Sequence, residues 1–415
     1  MASAPRGRGG PMKIVMVAPF GLKPKGTVRV RALPLAQALV QRGHEVVILV
    51  PPWDDRAAAG QSIEVGGVRV RQLPLPRHAA LDLPSLTLRL LRAALDERPD
   101  LLHVFKPKAL SGFVGLGWWL MQRLPLPRAP LIMDSDDWEG AGGWNDIAPY
   151  SLPQKWLFGW QEQWGLRHAD GVTVASRTLE SIVLSLGVPQ ARVAYLPNGP
   201  GDGWPAPDPT EVARLREQLG LGDAPVALLF TRFFEFDEVQ LARRWARIVR
   251  EMGEARLLVV GKGLYGEEVS FRAALAAEGV GASVVEVGWL PFEALPAHFA
   301  VVQVALYPMR DSLLNRTKCP VKLADTMQVG LPVVGEAVGQ VAEYLAANEG
   351  GILVPPGDDD AFVAATLCLL RDADLAHAMG QAGQARLATH FAWPHEAARA
   401  EALYERVLAG LRGLR

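Results

Sequence analysis

Arg310, Arg316, Lys318 and Lys322, with Asp325 close behind, are spaced to hold an anion. The first three fall in a loop after the apolar run Val301–Tyr307, and Pro320 suits the first turn of a helix ending at Gly330. A helix N-terminus carries positive partial charge and free N–H groups, so cations gathered beside it favour a phosphate. Asp325 lies three residues after Lys322, on the same helix face, placed to accept hydrogen bonds from a sugar hydroxyl.

Three further stretches carry groups able to bind or transfer protons. The loop Pro19–Val30 (PFGLKPKGTVRV), with the residue after it, brings Lys23, Lys25, Arg29 and Arg31 to a helix N-terminus, together with Gly21, Gly26 and Thr27. Its glycines permit tight turns and close approach of backbone to a ligand. It has neither G-x-G-x-x-G spacing nor a G-K-[ST] ending, so dinucleotide and P-loop binding are not indicated. The stretch Asp100–Lys108 (DLLHVFKPK) ends in His103, Lys106 and Lys108. His103 reads either as a group facing a ligand or as a core histidine with its hydrogen bonds satisfied. Met133–Asn145 (MDSDDWEGAGGWN) supplies Asp134, Asp136, Asp137 and Glu139, acids that can bind hydroxyls or take a proton. Their spacing also fits a divalent cation, although the nearby lysines and arginines can neutralise phosphates without one.

The elements that must position these groups alternate. Apolar runs at Lys13–Pro19, Glu45–Val50, Val68–Leu73, Asp100–Phe105, Leu131–Asp134, Gly171–Ala175 and Val193–Leu196 read as strands with helical stretches between them. The pattern breaks at residues 198–210, rich in Gly, Pro and Asp, and restarts at Val226–Phe230, Arg256–Val260, Ser283–Val287, Val301–Tyr307, Leu331–Val334 and Ile352–Val354. Alternation of this kind builds parallel sheets covered on both faces. The expected organisation is a disordered tail at 1–12, a first domain at 13–200, a second at 201–392, and a terminal helix at about 393–415 crossing back to the first.

A chain of 415 residues, 49% hydrophobic and 21% charged, is of globular composition with room for two domains. Its two cysteines show no metal or disulfide spacing, which points to a reducing compartment. The net charge of −1 hides an asymmetry, since residues 1–130 carry +11 and the remainder −12. A basic first half suits a phosphorylated partner or an anionic membrane surface, or reflects arginine-rich composition alone. Trp156, Trp160 and Trp164 recur at i, i+4 and i+8, making one helix face that either packs in the core or meets lipid.

Together these stretches resemble the GT-B glycosyltransferases, especially the large retaining family 4. Gly330–Val334 (GLPVV) and Val354–Asp358 (VPPGD) match two of its signature elements. The second glutamate of the family's acidic pair maps onto Asp325, and the first falls on Thr317. Arg232, in FTRFFEFD, fits the arginine of the diphosphate clamp. The clamp's lysine is absent, with Asp237 and Glu238 near its place, so Lys318 or Lys322 is expected to replace it.

The resemblance implies an α/β fold of two doubly wound Rossmann-like domains facing a central cleft. It implies a retaining transferase without metal or cofactor, moving sugar from a nucleoside diphosphate donor, UDP favoured over GDP. The acceptor is unidentified, with a phosphorylated or lipid-linked sugar acceptor in view, and no nucleic acid is expected. Arg232, Lys318, Lys322 and His103 are then the expected catalytic residues. Donor binding falls to Gly21, Gly26, Thr27, Gly261, Gly263, Gly288, Trp289, Asp325 and Gly339, and acceptor binding to Asp134, Asp137 and Lys106. A cytoplasmic protein, peripheral at the inner membrane face, is the matching location; the oligomeric state stays open. A GT-B epimerase or phosphorylase, or an inactive nucleotide-sugar-binding protein, is the alternative.

Overall fold

The computed structural model describes residues 10–22, 26–53, 55–76, 82–124, 129–201, 203–346 and 349–412. Residues 1–9 of the expected tail, and Lys23 and Lys25 of the first basic loop, lie outside these. The first half runs β1 (Lys13–Val17), α1 (Leu33–Gln41), β2 (Glu45–Val50), β3 (Ser62–Val65), β4 (Val68–Gln72), α2 (Asp82–Asp96), β5 (Leu101–Phe105) and α3 (Ala109–Met121). It continues with β6 (Leu131–Ser135), α4 (Trp144–Ile147), α5 (Leu152–His168), β7 (Gly171–Val174), α6 (Arg177–Ser185) and β8 (Val193–Tyr195). Next come α7 (Pro209–Gln218), β9 (Val226–Thr231), α8 (Glu238–Glu251), β10 (Arg256–Gly261), α9 (Glu267–Ala277), β11 (Val284–Gly288), α10 (Leu295–Ala300) and β12 (Val304–Tyr307). The rest is α11 (Leu313–Thr317), α12 (Val321–Gln328), β13 (Val333–Glu336), α13 (Gln340–Leu345), β14 (Gly351–Val354), α14 (Asp359–Arg371), α15 (Ala373–His390) and α16 (Trp393–Arg412).

These elements form two compact units. One comprises residues up to Asn198, Thr317–Cys319 and the segment from Trp393 onward; the other comprises Gly199–Arg316 and Pro320–Ala392. The first unit holds an eight-stranded sheet in the order β3-β4-β2-β1-β5-β6-β7-β8. Its central strands β5, β6 and β7 are buried along their whole length, which is why they are mostly apolar, with His103, Asp134, Ser135 and Thr173 as buried polar exceptions. Only β3 runs antiparallel, paired with β4 through a Gly66–Gly67 turn in which both glycines have positive φ. That edge strand is not legible in the sequence, because its residues are all exposed or half-exposed and form no apolar run.

The second unit holds a six-stranded parallel sheet in the order β11-β10-β9-β12-β13-β14. Its last central strand starts later than its apolar run suggests, since Val301 still closes α10 and pairing begins at Val304. Among its parallel strands each sheet reverses its order once, at β1|β5 and at β9|β12. Ligands of such sheets bind beyond the carboxyl ends of the strands at that reversal. Those two places are where the site residues are to be sought.

The last helix, α16, packs on α1 and β8 and buries Ala397, Ala400, Leu403 and Tyr404 in the core of the first unit. It also buries Glu396, whose Oε1 accepts from exposed Arg399 at 2.8 Å while Oε2 has no hydrogen-bond partner among the described residues. Burial pushes this carboxyl up to about 7, Arg399 opposing the shift. A raised acid penalises the fold only where the group must ionise. The cost is therefore absent below the ordinary carboxylate range and complete above about pH 7. Glu396→Gln should gain on the order of 2 kcal/mol at pH 8. The gain should fade below about pH 5, as read by denaturant midpoints across pH. A pH-independent gain would locate the effect elsewhere.

Candidate functional site

In the first unit a buried polar network lies beneath the strand ends. A π-helical turn, Val28–Ala32, precedes α1 and turns Arg31 inward. Arg31 Nε and Nη2 donate to Asp134 Oδ1 and Oδ2 at 2.7 and 2.6 Å, and Nη1 donates to Leu196 O and Asn198 Oδ1. Thr173 Oγ1 donates to Asp134 Oδ2 at 2.6 Å. Since that hydroxyl spends its proton on Asp134, it accepts from His103 Nε2 at 3.1 Å. His103 Nδ1 then accepts from Tyr404 OH at 2.8 Å. Burial pushes the His103 imidazole down to about 4, consistent with a neutral ring.

Two expectations are thereby corrected. His103 is wholly buried with both ring nitrogens occupied, so it does not face a ligand. Asp134 is equally buried and saturated by Arg31 and Thr173, so its carboxylate supports the sheet and is not open to an acceptor. Asn198, expected to serve a turn, is a third part of the same support: its Nδ2 donates to Cys319 O and its Oδ1 accepts from Arg31.

Above this layer, at the end of β5, Lys106 and Ala109 both adopt positive φ (55° and 49°). Strain of this kind persists where surrounding bonds over-determine it. Here Gln161 of α5 clamps both backbone groups of Ala109, and Ser111 Oγ donates to the Lys106 carbonyl. The bend presents two lysines to the acids that follow β6. Lys106 Nζ lies 2.7 Å from Asp137 Oδ2 and 3.4 Å from Asp136 Oδ1, and Lys108 Nζ lies 2.6 Å from Glu139 Oε1. Lys106, Asp137 and Asp136 are thus brought together as one charged cluster. Burial pushes Asp136 up to about 6, with Lys106 opposing, whereas the Lys106, Lys318 and Lys108 charges hold Asp137 below its ordinary value against its own burial.

Beneath them Glu162 of α5 accepts from the Glu139 N–H at 2.8 Å, and burial with the Glu139 charge holds it well above the carboxylate range. Gln161 and Glu162 went unread in the sequence because they sit among tryptophans on a helix whose opposite face drew attention. Their adjacency to an otherwise apolar buried stripe was the available signal. On the first loop, Gly21 is buried, Gly26 exposed and Thr27 half-buried at the start of the π-helical turn. Gly26 is not required by packing, because an added Cβ would meet only Val30 at 3.6 Å.

In the second unit the expected donor residues line the carboxyl edge of the sheet. Arg232 follows β9 and is exposed, and the next residue, Phe233, holds φ +71°, its N–H donating to Thr231 Oγ1 at 2.7 Å. Gly261, at the end of β10, pairs with Thr231; a side chain there would strike Thr231 O at 1.9 Å. Gly263 follows it, and Gly288 ends β11 with exposed Trp289 beyond. Lys322 lies in the first turn of α12, Nζ 5.6 Å from the centre of the Phe230 ring on β9, with half-buried Asp325 one turn on. Gly339 opens α13 with φ +50° and backs onto Arg316, whose carbonyl a Cβ would meet at 2.5 Å.

Two of the expected cations are already paired. Arg316 binds Asp311 at 2.5 and 2.7 Å, and Arg310 approaches Asp237 at 3.9 Å. Lys318 belongs to the first unit, where its charge acts on Asp137. Thr317, at the place of the first acid, is buried, and its carbonyl accepts from Ser176 Oγ. Asp237 occupies the missing lysine's neighbourhood for a structural reason: it caps α8 by accepting from Gln240 N. Glu336 was not anticipated. It ends β13 fully buried and gathers Met309 N, Gly357 N and Arg244, fixing the VPPGD turn, while Asp358 caps α14. An acid directly closing an apolar strand was its signal.

A family model described as Glycosyl transferase 4-like domain matches residues 26–199, and one described as Glycosyl transferases group 1 matches residues 224–372. The chain is 33% identical over 234 residues to a GDP-mannose-dependent alpha-(1-6)-phosphatidylinositol monomannoside mannosyltransferase of Mycolicibacterium smegmatis, a match covering 56% of this chain and 61% of that protein. It is 28% identical over 367 residues to a 2-deoxystreptamine N-acetyl-D-glucosaminyltransferase of Streptomyces fradiae, covering 84% and 83% respectively. Its fold is similar to that of sucrose-phosphate synthase from Thermosynechococcus elongatus, with a TM-score of 0.69, 21% identity and coverage of 96% and 100%.

Proposed function

The chain belongs to the group 1 glycosyltransferases of GT-B fold, and we propose that it transfers a sugar from a nucleoside diphosphate donor to a polyhydroxylated, phosphorylated or lipid-linked acceptor with retention of configuration. The observation carrying this reading is the pair Arg232 and Lys322 at the carboxyl end of β9, with Asp325 one helical turn beyond Lys322. Charge builds on the diphosphate as the glycosidic bond opens, and fixed cations aimed at it lower the barrier. Arg232 supplies a flat fork for two phosphate oxygens and Lys322 a point charge.

The strand-end cluster of the first unit suits the acceptor. Asp136 and Asp137 accept hydrogen bonds from hydroxyls, and Lys106 orients them. A front-side route needs no protein nucleophile, which is why none is assigned. UDP stays the favoured base, with GDP named for the mannosyltransferase relative.

Turnover of UDP-, GDP- and ADP-sugars, with and without phosphorylated and lipid-linked acceptors, tests the reading. Transfer should require acceptor and should survive EDTA, because protein cations neutralise the diphosphate. Loss with EDTA and rescue by Mg²⁺ or Mn²⁺ would restore a divalent-cation reading at the strand-end acids Asp136 and Asp137, since Asp134 is already saturated. Conversion of the donor sugar to its epimer without acceptor would favour an epimerase, sugar transfer to or from free phosphate a phosphorylase, and binding without turnover an inactive nucleotide-sugar-binding protein. Asp325→Ala should weaken donor binding by about 1–3 kcal/mol, the scale of a charge-assisted hydrogen bond. An unchanged donor Kd would remove Asp325 from the site.

A further inference from the structure

We propose that the outer face of α2, α3 and α5 docks on the surface of a bilayer rich in anionic phospholipid. The three helices join β4 to β5, β5 to β6 and β6 to β7, steps that all move the same way across the sheet. Right-handed crossovers therefore set them side by side on one face, and α2 packs on α3 and α3 on α5. Their outer sides form one continuous surface of the first unit.

That surface is unusually apolar. Fifteen large hydrophobic side chains are exposed among the described residues, and seven lie on these three helices, including Leu88, Leu95, Leu120, Leu152, Trp156 and Trp160. Trp156 is 70% exposed, so the tryptophan stripe does not pack in the core. Its rings form a ladder instead. Trp156 stacks on Trp160 at 6.3 Å with planes 9° apart, Trp160 on Trp164 at 5.9 Å, and Trp164 on His168 at 4.7 Å. An exposed hydrophobic surface of this size marks an interaction site.

The charges name the occupant. Arg89, Arg92, Lys155 and Arg167 lie on these helices and Arg123 just past the end of α3, whereas Asp96 is the one exposed acid among the described side chains of the three helices. Indoles among leucines with basic residues at their margin match the boundary between lipid head groups and acyl chains. Each cation near an anionic leaflet adds attraction. Beside the ladder lies an open groove of about 500 Å³ lined by Lys155, Arg167, Trp160 and Asn145, with the exposed carboxylate of Asp146 also on its wall. Asn145 Nδ2 donates to Lys155 O at 2.7 Å, and its buried Oδ1 meets no donor among the described residues. A head group bearing phosphate and hydroxyls satisfies both the cations and that oxygen. Among the described residues no helix is long and apolar enough to cross a membrane. The docking is independent of which sugar is transferred.

Vesicle sedimentation of the full chain tests it directly. The protein should pellet with phosphatidylglycerol–phosphatidylcholine vesicles and remain in solution with phosphatidylcholine alone. Tryptophan emission should shift to the blue on binding. Trp156→Gln with Trp160→Gln should cut partitioning on the order of tenfold and abolish the shift. Arg89→Glu with Lys155→Glu should cost roughly fivefold or more per cation while sparing the fold, since all four positions are at the surface. Equal binding to neutral vesicles, or undiminished binding by the tryptophan double variant, would overturn the proposal. So would a blue shift produced by soluble oligosaccharide and not by vesicles, which would make the ladder a carbohydrate platform.

Discussion

Arg31→Met should destabilise the protein by about 3–5 kcal/mol, the scale for leaving one member of a buried ion pair uncompensated. Asp134 is fully buried and its two oxygens face the Arg31 guanidinium at 2.6 and 2.7 Å. Without Arg31 only the Thr173 hydroxyl remains to the carboxylate. Asp134→Asn added to Arg31→Met removes the stranded charge and should recover a large part of the loss. Full recovery is not expected, because Leu196 O and Asn198 Oδ1 also lose their donor. Denaturant midpoints of the two singles and the double give the coupling. If the two losses simply added, the pair would not be the keystone of the network. The effect reaches beyond one bond, since Asp134, Thr173, His103 and Tyr404 link β6, β7, β5 and α16 in one relay.

This network also shows where sequence reading succeeds and where it stops. Strands such as β5 and β9 are legible because burial on both faces makes nearly every position apolar, and the Gly–Pro–Asp stretch after Asn198 punctuates the two halves. The meeting of Lys106 and Asp137 was legible in position, since charged residues directly after an apolar run fall at the carboxyl end of a parallel strand. Asp134 and His103 misled for the same reason. Each looks like a strand-end group, yet each is still inside its strand and meets a partner far along the chain: Arg31 for Asp134, Tyr404 for His103. No local pattern encodes such pairing. One signal did exist, an arginine set between Val28 and Ala32 on the apolar face of the first helix. The tryptophan spacing on α5 defined a face correctly but not its direction. The buried needs of Glu139 and Ala109, met by Glu162 and Gln161, decided that the tryptophans point outward.

Lys322→Ala should lower kcat by roughly a hundredfold at saturating donor, about 3 kcal/mol of lost leaving-group stabilisation. The family's second clamp cation is missing because Asp237 caps α8 where a lysine would otherwise stand nearby. Lys322 is the replacement the geometry supports: its Nζ lies over the Phe230 ring, two residues before Arg232 on the same strand end. A cation needed mainly as the bond breaks should depress kcat more than it raises KM. Arg232→Ala should behave likewise, and the double variant should cost less than the sum if both serve one diphosphate. Lys318→Ala is the informative comparison. Lys318 sits in the first unit, where its charge helps hold Asp137 ionised, so its removal should also shift the pH dependence of transfer. Near-normal kcat in both lysine variants would leave Arg232 and backbone N–H groups to carry the leaving group alone, and the replacement idea would fall.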